Sequence, residues 1–552
     1  MIEIICTNTN TRQEFPKGTT LAEIATALGI KLHHPILGAL VNNKLRELNF
    51  DLYKPKTVHF IDITHPIGYR MYTRSAAFIL YKAVHDLYPK AHLRIEHSIS
   101  KGAFCEIDNL DEPLNDIIVR SLKKRMYEIV EMDLPFTRQE ILTSEAIEMF
   151  AKYGHKEKVD LFKNRSDMYT SIYGVNDLIN YFYGFLVPST GFVKLFDIQY
   201  YYNGLNLRVP ERLNPDIISE APDQSKLFKV FREHKKWVNI LNVPYVGDLN
   251  KSSSEIRDNH LIKISEALHE KKIARIADRI FKQRDNLKII LIAGPSSSGK
   301  TTFSKRLSIQ LMVLGIRPVQ ISLDNYFVDR ELTPKDENGE YDFETIKAID
   351  TALFNQNLLE LIDGKTIKVP KFDFTSGKRA YNHQTMTLEA DQILVIEGIH
   401  GLNPELTNMI PENCKYKVFV SALTQISIDA HNPIPSTDNR LIRRIVRDYR
   451  FRNYSALDTL KRWDSVRGGE EKYIFPFQEN ADIMFNSALL YELAVLKTYA
   501  EPILRVVQQN QPEYAEAARL LKFLSYFSPI SSREIPPTSI LREFLGGSSF
   551  IY

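Results

Sequence analysis

Only three cysteines are spread over the 552 residues. Cys6, Cys105 and Cys414 are far apart and odd in number, which argues against a disulfide framework or a metal knuckle and for a reducing compartment. Strong charge of either sign is missing as well. The 71 basic and 68 acidic side chains leave a formal charge of +3, so bulk charge gives no argument for nucleic acid. Uninterrupted apolar runs of ~18 residues are absent, and the opening MIEIICTNTN has no basic stretch followed by a long apolar one. A cytoplasmic protein that does not engage the membrane is the expectation. What is present is an ordinary globular composition, 44% hydrophobic and 25% charged. The length predicts about three to four domains, each with its own core.

The chain is organised around KIILIAGPSSSGKTT, residues 288–302. A β-branched apolar run leads into Gly294, Pro295, Ser296, Ser297, Ser298, Gly299, Lys300 and Thr301, which satisfy the GxxxxGK[ST] pattern between a strand and a helix. Phe303, Leu307, Leu311 and Leu314 follow at helical spacing, so a helix with one buried face begins at once. Such a loop points successive N–H groups, Thr302 included, at phosphate oxygens, and the helix N-terminus adds partial positive charge. ATP is the expected ligand, with Lys300 reaching its β- and γ-phosphates and the Thr301 hydroxyl holding Mg²⁺.

Two further apolar strands are expected, PVQISL at 318–323 and QILVIEG at 392–398. The first delivers Asp324 to the carboxyl end of a parallel sheet, where ligands bind. There a carboxylate can orient an attacking hydroxyl and take its proton, although an aspartate at a strand end can also cap a helix. The second strand closes on Glu397, placed to hold Mg²⁺ directly or through water. In RLIRRIVRDYRFR, residues 440–452, Leu441, Ile445 and Tyr449 form an apolar stripe with Ile442 and Val446 adjoining, while Arg443, Arg444 and Arg447 project elsewhere. That helix could serve phosphate chemistry or a basic contact surface for RNA. Gly468 and Gly469 could hinge a lid.

The first third reads differently. Short strands surround a helix at 20–28 capped by Thr19 or Thr20. These residues resemble the TGS domain of threonyl-tRNA synthetases, a β-grasp unit. The resemblance continues through RSAAFILYKAVHDLYPKAHLRIEHSISKGAFCEI, LTSEAIEMFAKYGHKEKVDLF and NDLINYFYGFLVPSTGFVKLF, which are similar to the synthetases' editing module. That family carries two histidines four apart on a helix, then a cysteine and a histidine. Arg74, Phe78, Phe182 and Leu186 stand in their places, so the resemblance implies a retained fold without the hydrolytic chemistry. His85, His92 and His97 are expected to be solvated or packed, and Cys105 to be a small buried hydrophobe. Residues 200–246 show no clear periodicity and read as an edge strand and a connector. Residues 254–284 read as a pair of helices, with Ile256 among their apolar positions and Lys271, Lys272, Arg275 and Arg279 on a solvated face.

SLDNYF and LVIEGIHGL, taken with the loop, resemble the uridine kinase and phosphoribulokinase family over about 287–487. The resemblance implies that Asp324 is the general base for a nucleoside 5′-hydroxyl and that Arg444, Arg447 and Arg452 lie on a lid helix, with Tyr454 replacing a further family arginine. Glu344 corresponds to the ribose-binding aspartate. Phe372 and Gly377 replace the tyrosine and histidine that contact the base, while Arg379 is kept. Losing polar base contacts should relax or change base recognition, so uridine itself is not expected.

An α/β chain results: a TGS-like β-grasp domain at 1–63, an α+β editing-like domain lacking its ligand residues at 64–210, a connector and helical segment at 211–284, a P-loop parallel sheet flanked by helices at 285–490, and a C-terminal helical tail at 491–552. The tail should dock on the core or on a subunit partner. The expected activity is MgATP-dependent phosphorylation of a ribonucleoside, with the N-terminal third sensing a ligand or forming a homo-oligomer. Two other readings stay open. One is a tRNA- or nucleotide-binding regulator with an ATP-sensing P-loop, and the other a kinase of another sugar alcohol or a phosphorylated sugar.

Overall fold

In a computed structural model, residues 1–251, 255–335, 339, 341–373, 376–424 and 426–552 are described. Ser254 and the side chain of Ile256 lie outside them, as do Phe374 and Thr375 of the expected base-contact segment.

The sequence Ile2–Cys6 alternates buried and exposed side chains, as a strand with one face on a core should. It pairs antiparallel with Thr11–Phe15 and parallel with Lys56–Ile61 in a five-stranded sheet. The helix Leu21–Ala27 packs Leu21 and Ile24 beneath that sheet and starts at Thr20, which forms a capping box with Glu23. This is the expected β-grasp arrangement.

Next, the 22-residue helix Pro66–Leu87 and the helix Asp116–Glu131 pack together beside a four-stranded antiparallel sheet. The four positions that replace the editing family's ligands converge. The rings of Phe78 and Phe182 are 5.2 Å apart, Leu186 is buried, and Arg74 donates to the Phe185 carbonyl at 3.0 Å beside Gly184. Cys105 is wholly buried and its thiol pKa is pushed up by that burial. His97 stacks on Phe231 with centroids 3.5 Å apart, and burial drives its pKa down to about 3.

The connector departs from expectation. Residues 200–246 take in the end of the edge hairpin Asp197–Tyr201 and Gly204–Arg208, but also a 16-residue helix, Ser225–Ile240, where no periodicity is expected. Leu227, Phe228 and Phe231 on that helix pack against Ile99 and Phe104. Lys226 donates to the carbonyls of Glu479 and Ala481, so the helix straps the second domain to the third. The expected helix pair at 254–284 is one helix, Glu255–Phe281. Lys272 does not lie on a solvated face; its ammonium sits 2.6 Å from the His234 ring.

A second five-stranded sheet is parallel, in the order Arg317–Ser322, Gln392–Glu397, Ile289–Ala293, Lys415–Ser421 and Ile483–Asn486. Ile289–Ala293 is buried throughout, as a central parallel strand covered on both faces should be. Phe303, Leu307 and Leu311 of the following helix, Lys300–Val313, pack with it. The C-terminal helices Glu492–Leu504 and Tyr514–Leu524 close the fold on this chain's own core. Among the described residues no helix is long and apolar enough to cross a membrane.

Removing the Phe78 ring would leave a cavity among Phe136, Phe182 and Tyr81. Phe78→Ala is expected to cost ~3–5 kcal/mol of stability, read as a shift of the denaturant midpoint of the second domain.

Candidate active site

The P-loop needs its glycines for two different reasons. At Gly294 the backbone approaches the next strand so closely that a Cβ would collide with the Val420 carbonyl oxygen. Gly299 has φ +82°, and Ile540 lies against the place a Cβ would take. Between them Ser297 also adopts a positive φ, and Ser298 N–H donates to the Pro295 carbonyl at 3.3 Å. The helix then starts at Lys300, whose Nζ donates to the Pro295 carbonyl at 3.1 Å.

Register brings the acidic residues to this loop. Ser322 and Glu397 are cross-strand partners, and Ile292 pairs with Glu397 on the other side. Thr301 Oγ1 therefore comes within 3.3 Å of Glu397 Oε1, and Ser322 Oγ within 3.5 Å of the same atom. The chain after Ser322 turns into a short 3-10 helix, Leu323–Tyr326, capped by the Ser322 hydroxyl, which accepts from Asp324 N–H at 3.3 Å. Ser322 supplies the cap, and the Asp324 side chain stays exposed at the sheet's carboxyl end.

Charge concentrates there. Surrounding protein raises the Asp324 pKa, against the pull of Lys300, Arg452 and Arg447. Burial lowers that of Lys300, against Glu397, Asp324 and Glu543. Glu397 is pushed up to about 7 by burial and by the negative charge of Asp324. Glu344 also rises to about 7, through burial and Glu470, while Arg444 and Lys300 oppose the shift. Asp324, Lys300, Glu397, Glu344, Arg444, Arg447 and Arg452 thus share one electrostatic cluster.

Helix Ser436–Phe451 supplies the arginines, and its faces differ from the expected ones. Arg440 and Arg443 are fully buried, whereas Tyr449 is exposed. Arg440 pairs bidentately with buried Glu470 and donates to the Ser296 carbonyl at 3.1 Å, while Glu470 accepts from Ser296 N–H at 3.0 Å. Arg443 pairs with Glu492 and donates to the Ser487 carbonyl at 2.9 Å and the Ser297 carbonyl at 3.4 Å. Arg444 faces the loop, donating to Ser296 Oγ at 2.8 Å. Asp448 gathers the others: Arg447 at 2.7 Å, Arg444 at 3.3 Å and Arg452 at 3.7 Å. It is the only acid among six arginines in 440–452, a contrast that sequence reading could have used. Glu470 and Glu492 lie too far along the chain to be matched to their arginines by spacing. Tyr454 meets Arg462, whose guanidinium lies 4.5 Å from the ring centroid.

Two other expectations change. Gly468 and Gly469 lie inside the helix Ala456–Tyr473, and Gly469 is a close-approach point where Glu344 Cβ presses on the helix. A hinge is not what that glycine supplies. On the expected base-contact hairpin, Phe372 pairs with Arg379 across strands Ile367–Asp373 and Lys378–Met386. Phe372 packs toward Phe327 at 5.6 Å, and Arg379 donates to Asp350 at 2.8 Å. Gly377 has φ +70° with the Arg330 guanidinium against the place a Cβ would take, so a histidine would be strained there. These described contacts do not bring Phe372 or Arg379 into the charged cluster.

The oxygen donors of Thr301 and Glu397, with Ser322 adjoining, suit Mg²⁺, a hard cation that takes oxygen ligands. Burial first and then the acidic neighbours Asp324 and Glu543 raise the Glu397 pKa, a strain that a bound cation would relieve. Above pH 7 the ionised carboxylate destabilises the ligand-free fold, because its folded pKa exceeds the unfolded value and stability is lost as pH rises through it. Glu397→Gln should therefore raise Tm by about 2–4 °C or more at pH 8 and much less at pH 5, measured without divalent ions.

Residues 289–491 match the family described as Phosphoribulokinase / Uridine kinase. Threonine–tRNA ligases match the N-terminal region. That of Clostridium kluyveri is 28% identical over 229 residues, 40% of this chain and 36% of the ligase. That of Symbiobacterium thermophilum is 31% identical over 187 residues, 34% of this chain and 29% of the ligase. This chain thus spans about a third of the length of the curated relatives it matches. Among solved structures, a possible uridine kinase from Bacillus stearothermophilus is 18% identical with a TM-score of 0.26, covering 38% of this chain and 97% of its own. D-glycerate 3-kinase from Cryptococcus neoformans is 11% identical with a TM-score of 0.21, covering 46% and 87%. Scores at that level carry no argument about function.

Proposed function

We propose that this chain, whose residues 289–491 carry a phosphoribulokinase/uridine kinase family domain, transfers the γ-phosphoryl group of ATP to an alcohol, in the first instance the 5′-hydroxyl of a ribonucleoside. The observation that carries the reading is the convergence of Asp324 with Lys300, Arg447 and Arg452. A carboxylate with a raised pKa is a better base, and the three cations oppose the upward shift that burial imposes on it.

Loop 294–301 and Thr302 hold the donor's phosphates through backbone N–H groups, and Lys300 turns from the Pro295 carbonyl toward them. Thr301 and Glu397 would hold Mg²⁺, which supplies charge neutralisation across the phosphates when bound. Asp324 accepts the hydroxyl proton as the acceptor oxygen bonds to the γ-phosphorus and the bond to ADP breaks. Arg447 and Arg452, positioned by Asp448, face the charge on the transferring group, and positioning with charge stabilisation supplies most of the rate. Arg444 and Glu344 form the acceptor side; the Glu344 carboxylate can chelate a vicinal diol. The packed Phe372 and the glycine at 377 offer no polar reading of a pyrimidine edge, which supports an acceptor other than uridine.

ADP release from a panel of nucleosides and pentose derivatives with MgATP tests this. Asp324→Asn should lower kcat by about 10²–10⁴ while MgATP still binds. Equal turnover by Asp324→Asn would remove the proposed base. Nucleotide binding with no acceptor in the panel giving ADP would favour an ATP-sensing regulator instead.

A further inference from the structure

The P-loop's last donors already have a partner from the end of the chain. Thr302 N–H donates to Glu543 Oε2 at 3.2 Å, and the Thr302 hydroxyl lies 2.6 Å from the same oxygen. The Tyr552 hydroxyl is 2.8 Å from Thr302 Oγ1 and 3.1 Å from Ser548 Oγ, which latches the last residues over the helix start. The surrounding tail is fitted to the loop. Ile540 packs on Gly299, and Phe544 lies under Arg443 with the guanidinium 5.0 Å from the ring centroid. Ile540, Leu541, Phe544 and Leu545 are buried, Ser539 hydrogen-bonds Glu266, and Arg542 donates to the Ile535 carbonyl at 2.7 Å. Glu543 therefore stands on an anchored short helix, Arg542–Leu545. Gly546 and Gly547, both at positive φ, follow it and allow the last residues to take another path.

The chemistry of that contact is that of a bound anion. The first N–H groups of a helix after a glycine-rich loop attract a phosphate oxygen, and a carboxylate oxygen satisfies the same donors. Glu543 is also close enough to act on the charges of Lys300 and Glu397. A polyphosphate brought onto Thr302 would meet Glu543 charge to charge, and one N–H cannot serve both. We propose that the Glu543 side chain, beside a Tyr552 bonded to the same Thr302 hydroxyl, is a built-in competitor of the donor's phosphates, so that this carboxylate and the nucleotide hold the P-loop alternately. The shared premise with the proposed function is that this loop takes phosphates; which acceptor is used, or whether any is, does not enter.

The competition has a size. A tail that occupies the loop about nine-tenths of the time weakens apparent nucleotide affinity about tenfold, because only the open fraction binds. Titration calorimetry with Mg²⁺ and a non-hydrolysable ATP analogue, without acceptor, should give a Kd about tenfold or more lower for Glu543→Gln than for the parent. Tyr552→Phe should tighten binding by a smaller factor, about threefold. In the unaltered protein, amides of 546–552 should exchange hydrogen faster when the analogue is saturating. Tripolyphosphate should compete with the tail in the same way, since no nucleoside contact is invoked. Unchanged or weaker binding in Glu543→Gln overturns the proposal, as does equal protection of 546–552 with and without analogue. Tighter binding by Glu543→Gln beside an acceptor panel that gives no ADP would leave the tail's role standing while the kinase reading falls.

Discussion

Two buried arginine–glutamate pairs hold the phosphate loop in shape, and the site around it follows from them. Arg440 with Glu470 and Arg443 with Glu492 lie within the protein, where an isolated charge would be strongly disfavoured. Each guanidinium has donors left over, and these go to the carbonyls of Ser296 and Ser297. Glu470 accepts from the Ser296 amide in return. The Ser296 and Ser297 carbonyls are thereby fixed to the arginine helix. A loop rich in serine and glycine has little stiffness of its own; the helix 436–451 lends it some.

The same helix explains why so much like charge can sit together. Three arginines crowd toward the cleft, and burial and repulsion from Arg447 lower the Arg444 pKa. Asp448 at the centre offsets that repulsion and sets their direction. Opposite them, Asp324, Glu397, Glu344 and Glu543 crowd in turn, and two of these carboxylates rise to about 7. A site tuned only for its own stability would not keep four acids near one lysine. The arrangement would become favourable if a divalent cation and a polyphosphate entered, each relieving the charge that the other side accumulates.

Much of this was legible from the sequence wherever the signal was local. The loop pattern, the strands ending at Asp324 and Glu397, and the helix after Gly299 each rest on a few consecutive residues whose chemistry fixes their conformation. What escaped depends on partners far along the chain. Arg443 looked like one more surface cation because its partner, Glu492, is 49 residues away. Gly469 looked like a hinge because nothing near it shows that Glu344 presses on the helix. The helix Ser225–Ile240 did carry a local signal, with Leu227, Phe228, Phe231, His234 and Val238 at helical spacing, masked by the aromatic and basic residues between them. The role of the last residues had no local signal at all, since Glu543 gains its meaning only from Thr302.

The N-terminal domains are not a loosely tethered addition. Arg70, on the first long helix, pairs with Glu516 at 2.6 Å; Glu516 also pairs with Arg519, and Arg519 forks onto Asp438 at 2.7 and 2.8 Å. Asp438 lies in the first turn of the arginine helix, where its charge also complements the helix dipole. A second seam joins buried Lys158 to Asp429 at 3.2 Å, and Tyr181 hydrogen-bonds Tyr526. The N-terminal half of the arginine helix is therefore held from three directions: by the loop, by the C-terminal helices and, through them, by the synthetase-like module. Moving it as a rigid lid would break several buried ion pairs at once, each costly to leave unpartnered. The motion a phosphoryl-transfer site needs is cheaper elsewhere, at the helix's exposed end around Tyr449, Phe451 and Arg452, and in the last residues beyond Gly546. Those two segments already touch, since Phe451 lies against Gly546. Closure over an acceptor and release of the last residues would then meet at one seam at the mouth of the cleft, while the frame behind it stays fixed.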